Sequence, residues 1–361
     1  MNVTIKNLAL LAAGVIALAC LYVLLSPSDR FTIEDGTIYR KGVSGAKGED
    51  TVGRLKTEGE DEIVLAAVGD IMLSRTVEQK MIAKGDWEYP FWEMADVTSG
   101  ADIAFGNLET SILEGDVIRS GSFTFRTDPK AVEGLRYGGF DVLSLANNHI
   151  MNFGITGLES TLRELDAAGI DHVGAGCGEG DINAPVIWEA KGVKFGFLTY
   201  SYADDRITGK NGKACGSAFL DKEKMEAQVV ELKTKTDVVV VSMHAGTEYA
   251  TAPSSQQKDF ARAAVDAGAT LVIGHHPHVV QTFEKYGNGY IIYSLGNFIF
   301  DQMWSEETRL GAIAEITFDK ETKEVMDIGF VPVKTYDFAQ PQPAAGADKD
   351  MILKRLEMTE G

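Results

Sequence analysis

Positive charge is scarce in this chain of 361 residues, which carries 34 lysines and arginines against 53 aspartates and glutamates. The formal net charge is −19, and there is no basic stripe that could neutralise the phosphates of a polyanion. Nucleic acid is therefore excluded as an expected partner. An anionic substrate would need local cations, and bound metal ions are one way to supply them.

Cysteine is scarce as well, with three residues, an odd count and no Cys-x-x-Cys pair. Cys20 lies in an apolar N-terminal segment, which leaves Cys177 and Cys215 as the only pair in the rest of the chain. Two cysteines do not decide whether a disulfide forms. Internal repeats and low-complexity tracts are also missing. A composition that is 45% hydrophobic and 24% charged is that of a globular protein, and the length suits one large or two ordinary domains.

Residues 7–26 carry no charge, and a helix of about 20 apolar residues spans the hydrocarbon core of a bilayer. Lys6 precedes this run and Asp29 and Arg30 follow it, which favours a cytoplasmic N-terminus. A cleaved signal peptide is the main alternative, and residues 17–20 resemble a lipoprotein cleavage box. The length of the run favours an uncleaved single-pass anchor. In either case we expect the main domain to be extracytoplasmic.

The segment after the anchor predicts a hairpin over residues 31–40, because Asp35-Gly36 lies between alternating residues. Residues 41–61 are rich in glycine, glutamate and lysine, which is typical of a flexible spacer. The predicted organisation is an anchor at 1–26, a hairpin and spacer at 27–61, a main domain at 62–335 and a C-terminal tail at 336–361.

From Ile63 onwards, short apolar runs alternate with segments of helical period, the pattern of an α/β protein with a layered sheet. Three helices are predicted between the runs. The first begins at the Thr156-x-x-Glu159 capping box and ends at Gly169. The second extends from Asp221 to Lys233. The third begins at the Ser254-x-x-Gln257 capping box and ends at Gly268.

Five residues, Gly274-His275-His276-Pro277-His278, contain three of the six histidines of the chain. They follow the apolar run 269–273, at the end of a predicted strand, where ligands bind in open α/β sheets. Neutral histidine is the commonest metal ligand. The cluster therefore indicates a metal site, and a loop of solvated or hydrogen-bonded histidines is the alternative.

Ligand-type side chains also follow the other apolar runs. Taken singly, each has an ordinary explanation as a turn, a helix cap, a rim charge or a satisfied core histidine. Their repetition at successive strand ends predicts one shared metal site. Oxygen ligands mixed with imidazoles suit Mn²⁺, Fe or Zn²⁺ better than Ca²⁺ or Cu. The residues at these strand ends are Asp70, Glu109, Asn148, His149, His244 and Asn297.

Five motifs together resemble those of the bacterial capsule-synthesis family CapA/PgsA, over roughly residues 63–300. That family serves poly-γ-glutamate capsule production and is related to the calcineurin-like metallophosphoesterases. The motifs are Gly69-Asp-Ile-Met72, Gly106-Asn-Leu-Glu-Thr110, Ala146-Asn-Asn-His149, Gly274-His-His-Pro-His278 and Tyr293-Ser-Leu-Gly-Asn-Phe298.

The resemblance implies a four-layer αββα metallophosphoesterase-like sandwich behind an N-terminal transmembrane helix, with two divalent metal ions. His149 is expected to be catalytic, as the group that contacts the leaving atom. Arg126 and Asn297 are the candidate substrate-binding residues, and for Arg126 the alternative is an ordinary surface arginine. His275 has no clear counterpart and is expected to support the ligands or to be structural. The implied metal ligands are Asp70, Glu109, Asn148, His244, His276 and His278.

Three positions depart from the pattern of the phosphoesterases. Met72 stands where they carry the histidine of an Asp-x-His motif, and a thioether is a poor ligand for a hard divalent ion. One metal position should therefore be weaker, or be completed by another residue. Asn152 replaces an aspartate and Ala245 a tryptophan of many relatives, and we assign no catalytic role to either.

The expected function is that of a component of poly-γ-glutamate capsule synthesis or export, held at the cell membrane. Its expected partners are the membrane, the subunits of the synthase complex and the anionic polymer. Because the chain is itself acidic, metals with a local basic patch, or partner proteins, would have to hold that polymer. The alternatives are an active metal-dependent phosphoesterase unrelated to capsule and a non-catalytic scaffold of the synthase.

Overall fold

The computed structural model describes residues 31–34, 37–40, 61–209 and 212–360. The predicted anchor at 7–26 and almost all of the predicted spacer lie outside these residues. Among the described residues, no helix combines the length and the apolar character needed to cross a membrane.

The chain divides into two compact units, residues 1–55 and 56–361. In the first unit, strand β1 (Phe31–Glu34) pairs antiparallel with β2 (Thr37–Arg40), and Glu34 lies opposite Thr37. This pairing is the one that the Asp-Gly pattern predicts.

The second unit contains 20 further described strands and nine α-helices, with a 3-10 helix at Tyr89–Phe91. The strands are β3 (Glu62–Ile71), β4 (Ile103–Leu108), β5 (Ser111–Ile112), β6 (Arg126–Thr127), β7 (Val142–Ser144), β8 (Asp171–Val173), β9 (Ala175–Cys177), β10 (Val186–Ala190), β11 (Val193–Ser201), β12 (Ile207–Thr208), β13 (Ala214–Ser217), β14 (Val238–His244), β15 (Leu271–His275), β16 (Phe283–Tyr286), β17 (Gly289–Ile292), β18 (Asn297–Ile299), β19 (Leu310–Asp319), β20 (Val325–Tyr336), β21 (Gln340–Pro343) and β22 (Met358–Glu360). The helices are α1 (Arg75–Lys84), α2 (Ala95–Thr98), α3 (Ala131–Tyr137), α4 (Gly154–Ala168), α5 (Glu179–Ile182), α6 (Lys222–Lys233), α7 (Ser255–Ala267), α8 (Glu306–Arg309) and α9 (Gly346–Arg355).

Two mixed sheets form the centre of this unit. The first has the strand order β21-β20-β19-β3-β4-β7-β8, with β18 also paired to β3. The second has the order β10-β11-β14-β15-β17-β16-β22. Strands β3, β4 and β7 run parallel, as do β11, β14 and β15. The carboxyl ends of parallel strands meet at the same edge of each sheet, so the residues that follow these strands are brought together.

The two sheets pack face to face through one apolar layer, and helices cover their outer faces. In β3, Ile63 and Leu65 point into the layer between the sheets, while Ala66 and Val68 belong to the outer cluster. Helices α1, α3 and α4 contribute to that outer cluster, and α6 and α7 cover the second sheet. Strands buried on both faces read as continuous apolar runs, which explains the sequence pattern. The chain is thus a mixed α/β protein, with layers in the order helix, sheet, sheet, helix.

Most predicted elements are confirmed, with shifted ends. The apolar runs at 63–68, 102–105, 140–145, 237–242, 271–273 and 290–295 all form strands. Strand β3 extends past Asp70 because β18 pairs with its end, with Asn297 opposite Asp70. The Ser254 capping box is present, with Gln257 bonded reciprocally to it. The capping box predicted at Thr156 is wrong, because α4 already begins at Gly154 without a side-chain cap. The predicted end of that helix at Gly169 is confirmed, with a left-handed φ of 72° that suits glycine.

The predicted tail at 336–361 packs as part of the second unit. It supplies β21 to the first sheet and β22 to the second. Ile352 and Leu356 are 1% and 3% exposed and lie in the core between the sheets. Burial of these apolar side chains joins the segment to the domain, and the tail is not a separate element.

Cys177 and Cys215 form a disulfide. They lie opposite each other on the neighbouring antiparallel strands β9 and β13. The sequence alone left this bond open, because the two residues are 38 positions apart and only strand pairing aligns them.

Glu78 on α1 is a buried acid whose ionisation should set part of the pH dependence of stability. Its side chain is 1% exposed, and Oε1 accepts a bond from the Asp128 amide at 2.9 Å. Its Oε2 has no hydrogen-bond partner within the described part of the chain. Burial raises the pKa of Glu78 to about 7. Since the folded-state pKa is raised, the stabilising contribution is complete below the unfolded pKa and is lost as pH rises through 7.

We expect Glu78→Gln to raise the free energy of unfolding at pH 8 by about 2 kcal/mol, because no buried charge remains there. The gap between variant and wild type should shrink as the pH is lowered to 5.5. Urea unfolding at both pH values measures it, with Glu223→Gln on exposed surface of α6 as the control. A gap that does not change with pH would contradict this assignment of the pKa.

Candidate metal centre

The parallel strands of both sheets end at neighbouring sheet edges, and the predicted ligands lie together there. On the first sheet, Asn107 lies opposite Asp70 in the pairing of β3 with β4. On the second, His244 and His275 lie opposite each other at the ends of β14 and β15. The Asn107 amide joins the sheets, because Nδ2 donates to Asp70 Oδ1 at 2.8 Å and lies 3.2 Å from His244 Nδ1.

Asp70, Glu109 and His244 form a first cluster of potential ligands. Their ligand atoms all lie within 4.8 Å of one another, and all three residues are buried. His244 Nε2 lies 4.0 Å from Glu109 Oε1 and 2.8 Å from Asn148 Oδ1. Asn148 is therefore also at this point, as the resemblance implies.

Glu248, His276 and His278 form a second cluster, again with ligand atoms within 4.8 Å of one another. The two histidines are buried, and Glu248 is exposed. The His276 amide donates to Asp70 Oδ2 at 3.1 Å, which links the two clusters. Sequence reasoning missed Glu248. The available signal was an acidic residue four positions after His244, in the same loop.

Asn297 orients His278. Its Nδ2 donates to Thr308 O at 2.9 Å and to Gln302 Oε1 at 3.1 Å, so Oδ1 accepts from His278 Nδ1 at 3.0 Å. The other imidazole nitrogen, Nε2, is then the one left for a metal ion, which would bind it in place of a proton. Asn297, predicted to bind substrate, is fully buried, and its amide groups are bonded within the protein.

Asn152 orients His149 in the same way. Asn152 Oδ1 accepts from the Phe125 amide at 2.8 Å and lies 2.9 Å from His149 Nδ1, which therefore carries the hydrogen. His149 Nε2 faces Glu109 Oε1 at 3.5 Å. Burial lowers the pKa of His149 to about 4. The imidazole is thus neutral near pH 7, with its free nitrogen turned towards the clusters.

His275 and Met72 stand apart from the ligands. Both ring nitrogens of His275 are bonded, Nε2 to Val68 O at 3.1 Å and Nδ1 to Ser242 Oγ at 3.2 Å. The residue connects β15 with β3 and β14, the structural role expected of it. Met72 is fully buried in the outer core, and its sulfur accepts a bond from the Ser74 amide at 3.1 Å.

Arg126, predicted to bind substrate with a surface residue as the alternative, is 7% exposed and therefore not on the surface. Its Nη1 donates to Glu114 O at 3.4 Å, and its guanidinium lies over the Phe153 ring. Arg75, which was not predicted, lies closer to the clusters. It forms an ion pair with Asp301 and stacks over Phe125, the ring that packs on His149.

Burial dominates the electrostatics of the clusters. It raises the pKa of Glu109 well above its usual value, and the charge of Asp70 raises it further. It lowers the pKa of His276 to about 3 and that of His244 well below its usual range. For Asp70 and His278 burial is opposed by their mutual hydrogen bond, which holds the pKa of Asp70 low and that of His278 raised to about 9. Such perturbation is typical of functional sites.

Three buried atoms test whether these residues fit divalent cations. Both carboxylate oxygens of Glu109 and Nδ1 of His276 have no hydrogen-bond partner among the described residues. A buried polar group without a partner costs free energy, and a buried carboxylate costs most. Bound cations would compensate all three atoms, so carboxylates, imidazoles and an amide oxygen here fit a divalent metal centre.

Comparison with known proteins identifies relatives over most of the chain. The family model for "Bacterial capsule synthesis protein PGA_cap" matches residues 64–302. The capsule biosynthesis protein CapA of Bacillus anthracis is 30% identical over 318 residues, covering 85% of this chain and 76% of that protein. The PGA biosynthesis protein CapA of Bacillus subtilis (strain 168) is 32% identical over 316 residues, covering 87% of this chain and 81% of that protein.

One solved structure, a hypothetical protein from Thermus thermophilus, has a TM-score of 0.50 with 15% sequence identity. The match covers 76% of this chain and 100% of that chain. At this identity, the likeness shows the fold alone.

The role of Asn297 in orienting His278 can be measured. Asn297→Ala removes the acceptor for Nδ1, and we expect the affinity for Mn²⁺ to fall by roughly 10–100-fold, as for other partners of metal-bound histidines. Isothermal titration calorimetry measures the affinity. The matched control is Asn183→Ala, an amide that bonds to Glu179, which should leave it unchanged. Equal affinities for wild type and Asn297→Ala would contradict this role.

Proposed function

The chain belongs to the bacterial capsule synthesis protein family PGA_cap, and on that basis we propose that it is a membrane-anchored, extracytoplasmic component of poly-γ-glutamate capsule synthesis or export. Relatives named for capsule and PGA biosynthesis, at 30% and 32% identity, support the capsule role. The uncharged run at 7–26 supports the anchor. The Cys177–Cys215 disulfide supports an extracytoplasmic location, because such bonds persist in oxidising compartments.

We further propose that the domain holds two divalent cations, Mn²⁺, Fe or Zn²⁺. The observation that carries this proposal is the set of unpaired, buried ligand atoms on Glu109 and His276. The chemistry that two such cations supply is activation of water and neutralisation of charge on an anionic substrate. The residues that would hold them are Asp70, Glu109, Asn148, His244, His276 and His278.

The protein's own groups around this centre orient ligands and handle a proton. Asn297 and Asn152 fix the ring orientations of His278 and His149. His149 Nε2, which is unprotonated near pH 7 and faces Glu109, can accept a proton and then release it at a leaving oxygen or nitrogen. Phe125 packs on the His149 ring with 3.9 Å between centroids and restricts its movement.

The charge of the chain constrains how it meets its polymer. A protein with a net charge of −19 repels poly-γ-glutamate over most of its surface. Cations at the joined sheet edges would make the local electrostatic potential positive, so the polymer is expected to approach there. The subunits of the synthase complex and the membrane remain the proposed partners.

A capsule role that depends on the site makes a clear prediction in cells. His276→Ala should abolish surface polymer while the protein itself accumulates normally, since one potential ligand is lost from a fold held by other contacts. Polymer is measured in cell-surface extracts, and protein by immunoblotting. His172→Ala is the control, because this histidine pairs with Asp166 outside the clusters. Full polymer output from His276→Ala cells would rule out a site-dependent role.

A second candidate function is a metal-dependent phosphoesterase without a capsule role. It is favoured by the free Nε2 of His149, which faces Glu109 at 3.5 Å as a proton-transfer group would.

The catalytic role of His149 is tested with the Mn²⁺-loaded protein and an aryl phosphodiester. His149→Ala should lower kcat by about 10²–10⁴-fold, the usual contribution of a general acid, with metal content unchanged. Turnover that survives this substitution would sink the phosphoesterase candidate. A wild-type protein that binds less than about 0.1 equivalent of metal would instead favour a scaffold role.

A further inference from the structure

Strand β3 and the residue after it supply one metal ligand fewer than the resemblance to phosphoesterases implies. The phosphoesterases that this chain resembles carry a histidine where Met72 stands. Here the Met72 side chain is fully buried in the outer core, with its sulfur bonded to the Ser74 amide. A thioether held in this way cannot serve a hard cation at the sheet edges. A cation at the joined sheet edges must therefore be held by side chains other than Met72.

Glu248 lies beside two buried histidines of the site. Its carboxylate is within 4.8 Å of ligand nitrogens of both His276 and His278. The side chain is exposed, whereas its two neighbours in the cluster are 3% exposed each. A cation held by all three would therefore be open to solvent on the Glu248 side.

The backbone holds Glu248 in this place. On one side of it, the Ala245 amide donates to His275 O at 3.1 Å, and on the other side the Tyr249 amide donates to Pro277 O at 2.8 Å. These two bonds align the loop 245–249 along the histidine segment. The loop also needs Gly246, whose φ is 122° and where a Cβ would meet the Gln257 side chain at 2.5 Å. Glu248 thus sits on a tied loop and not on a free surface segment.

The Glu248 charge acts on residues that surround the two clusters. Burial raises the pKa of Tyr202, and the Glu248 charge raises it further. Tyr202 packs on the His276 ring, with 4.6 Å between centroids. The same charge also contributes to the raised pKa of Glu109 in the first cluster, after burial and Asp70.

We propose that Glu248 is a metal ligand that completes the cation position of His276 and His278. This inference rests on the proposed dinuclear centre. A carboxylate in place of an imidazole makes the donor set harder, which favours Mn²⁺ relative to Zn²⁺. The exposed side of Glu248 is also where solvent and an anionic group would reach the cation.

The test uses full-length, detergent-solubilised protein, stripped of metal and titrated with Mn²⁺. Bound metal is counted by mass spectrometry after equilibrium dialysis, and electron paramagnetic resonance reports coupling between the ions. Wild type should bind two equivalents with a coupled signal. Glu248→Gln keeps the size of the side chain but not its charge, and it should weaken one equivalent by about tenfold or more and abolish the coupled signal.

Two further variants complete the design. Glu223→Gln, on the exposed face of α6, removes the same charge elsewhere and should behave as wild type. Glu248→His replaces the carboxylate by an imidazole and should shift the ratio of Zn²⁺ to Mn²⁺ affinity towards Zn²⁺.

The outcomes separate this inference from the proposed function. Two equivalents of unchanged affinity in Glu248→Gln, with an unchanged coupled signal, would overturn the role of Glu248 and leave the dinuclear centre intact. Binding of less than about 0.1 equivalent by the wild type would overturn the centre itself, and the inference with it.

Discussion

The Asn107 side-chain amide links the edges of the two sheets, and the rest of the site depends on this link. It bonds to Asp70 on its own sheet and contacts His244 on the other, so it fixes the spacing of the two sheet edges. The apolar layer between the sheets brings those edges close but specifies no direction, because hydrophobic burial is non-directional. The polar contacts at the edge supply the direction. His275 adds a second link, from β15 to the carbonyl of Val68 on β3.

Joining two sheets in this way buries ionisable groups, and their burial shifts the pKa values of residues such as Glu109 and His276. Glu109 and His276 carry atoms without a partner in the described residues, and both belong to the clusters of ligand-type groups at the joined edges. Groups that do have partners, such as His278 and His149, are held by side-chain amides. Amides orient an imidazole without adding charge, so each histidine keeps one nitrogen free for a ligand or a proton.

The acidic surface and the buried centre fit one picture of the function. A strongly negative protein gains specificity for an anionic polymer if attraction is confined to a single point. Cations at the joined edges would create that point, and Glu248 lies on its exposed side. Membership of a capsule synthesis family supports poly-γ-glutamate as the polymer. The disulfide in the small sheet β12-β13-β9 is consistent with work outside the cytoplasm.

Local pattern in the sequence was enough to determine the six strands formed by apolar runs, the α/β class and most candidate ligands, since Asp70, Glu109, His244 and His276 each lie within four residues of the end of an apolar run. What depends on residues far apart in the chain was decided only by tertiary structure. Asn297 is a partner of His278 because β18 pairs with β3, and the disulfide forms because β9 pairs with β13. The guanidinium of Arg126 is directed to Glu114 and Phe153 by packing. Glu248 lies beside His276 and His278 because backbone bonds tie its loop to the histidine segment, and those bonds join residues about 30 positions apart in the chain.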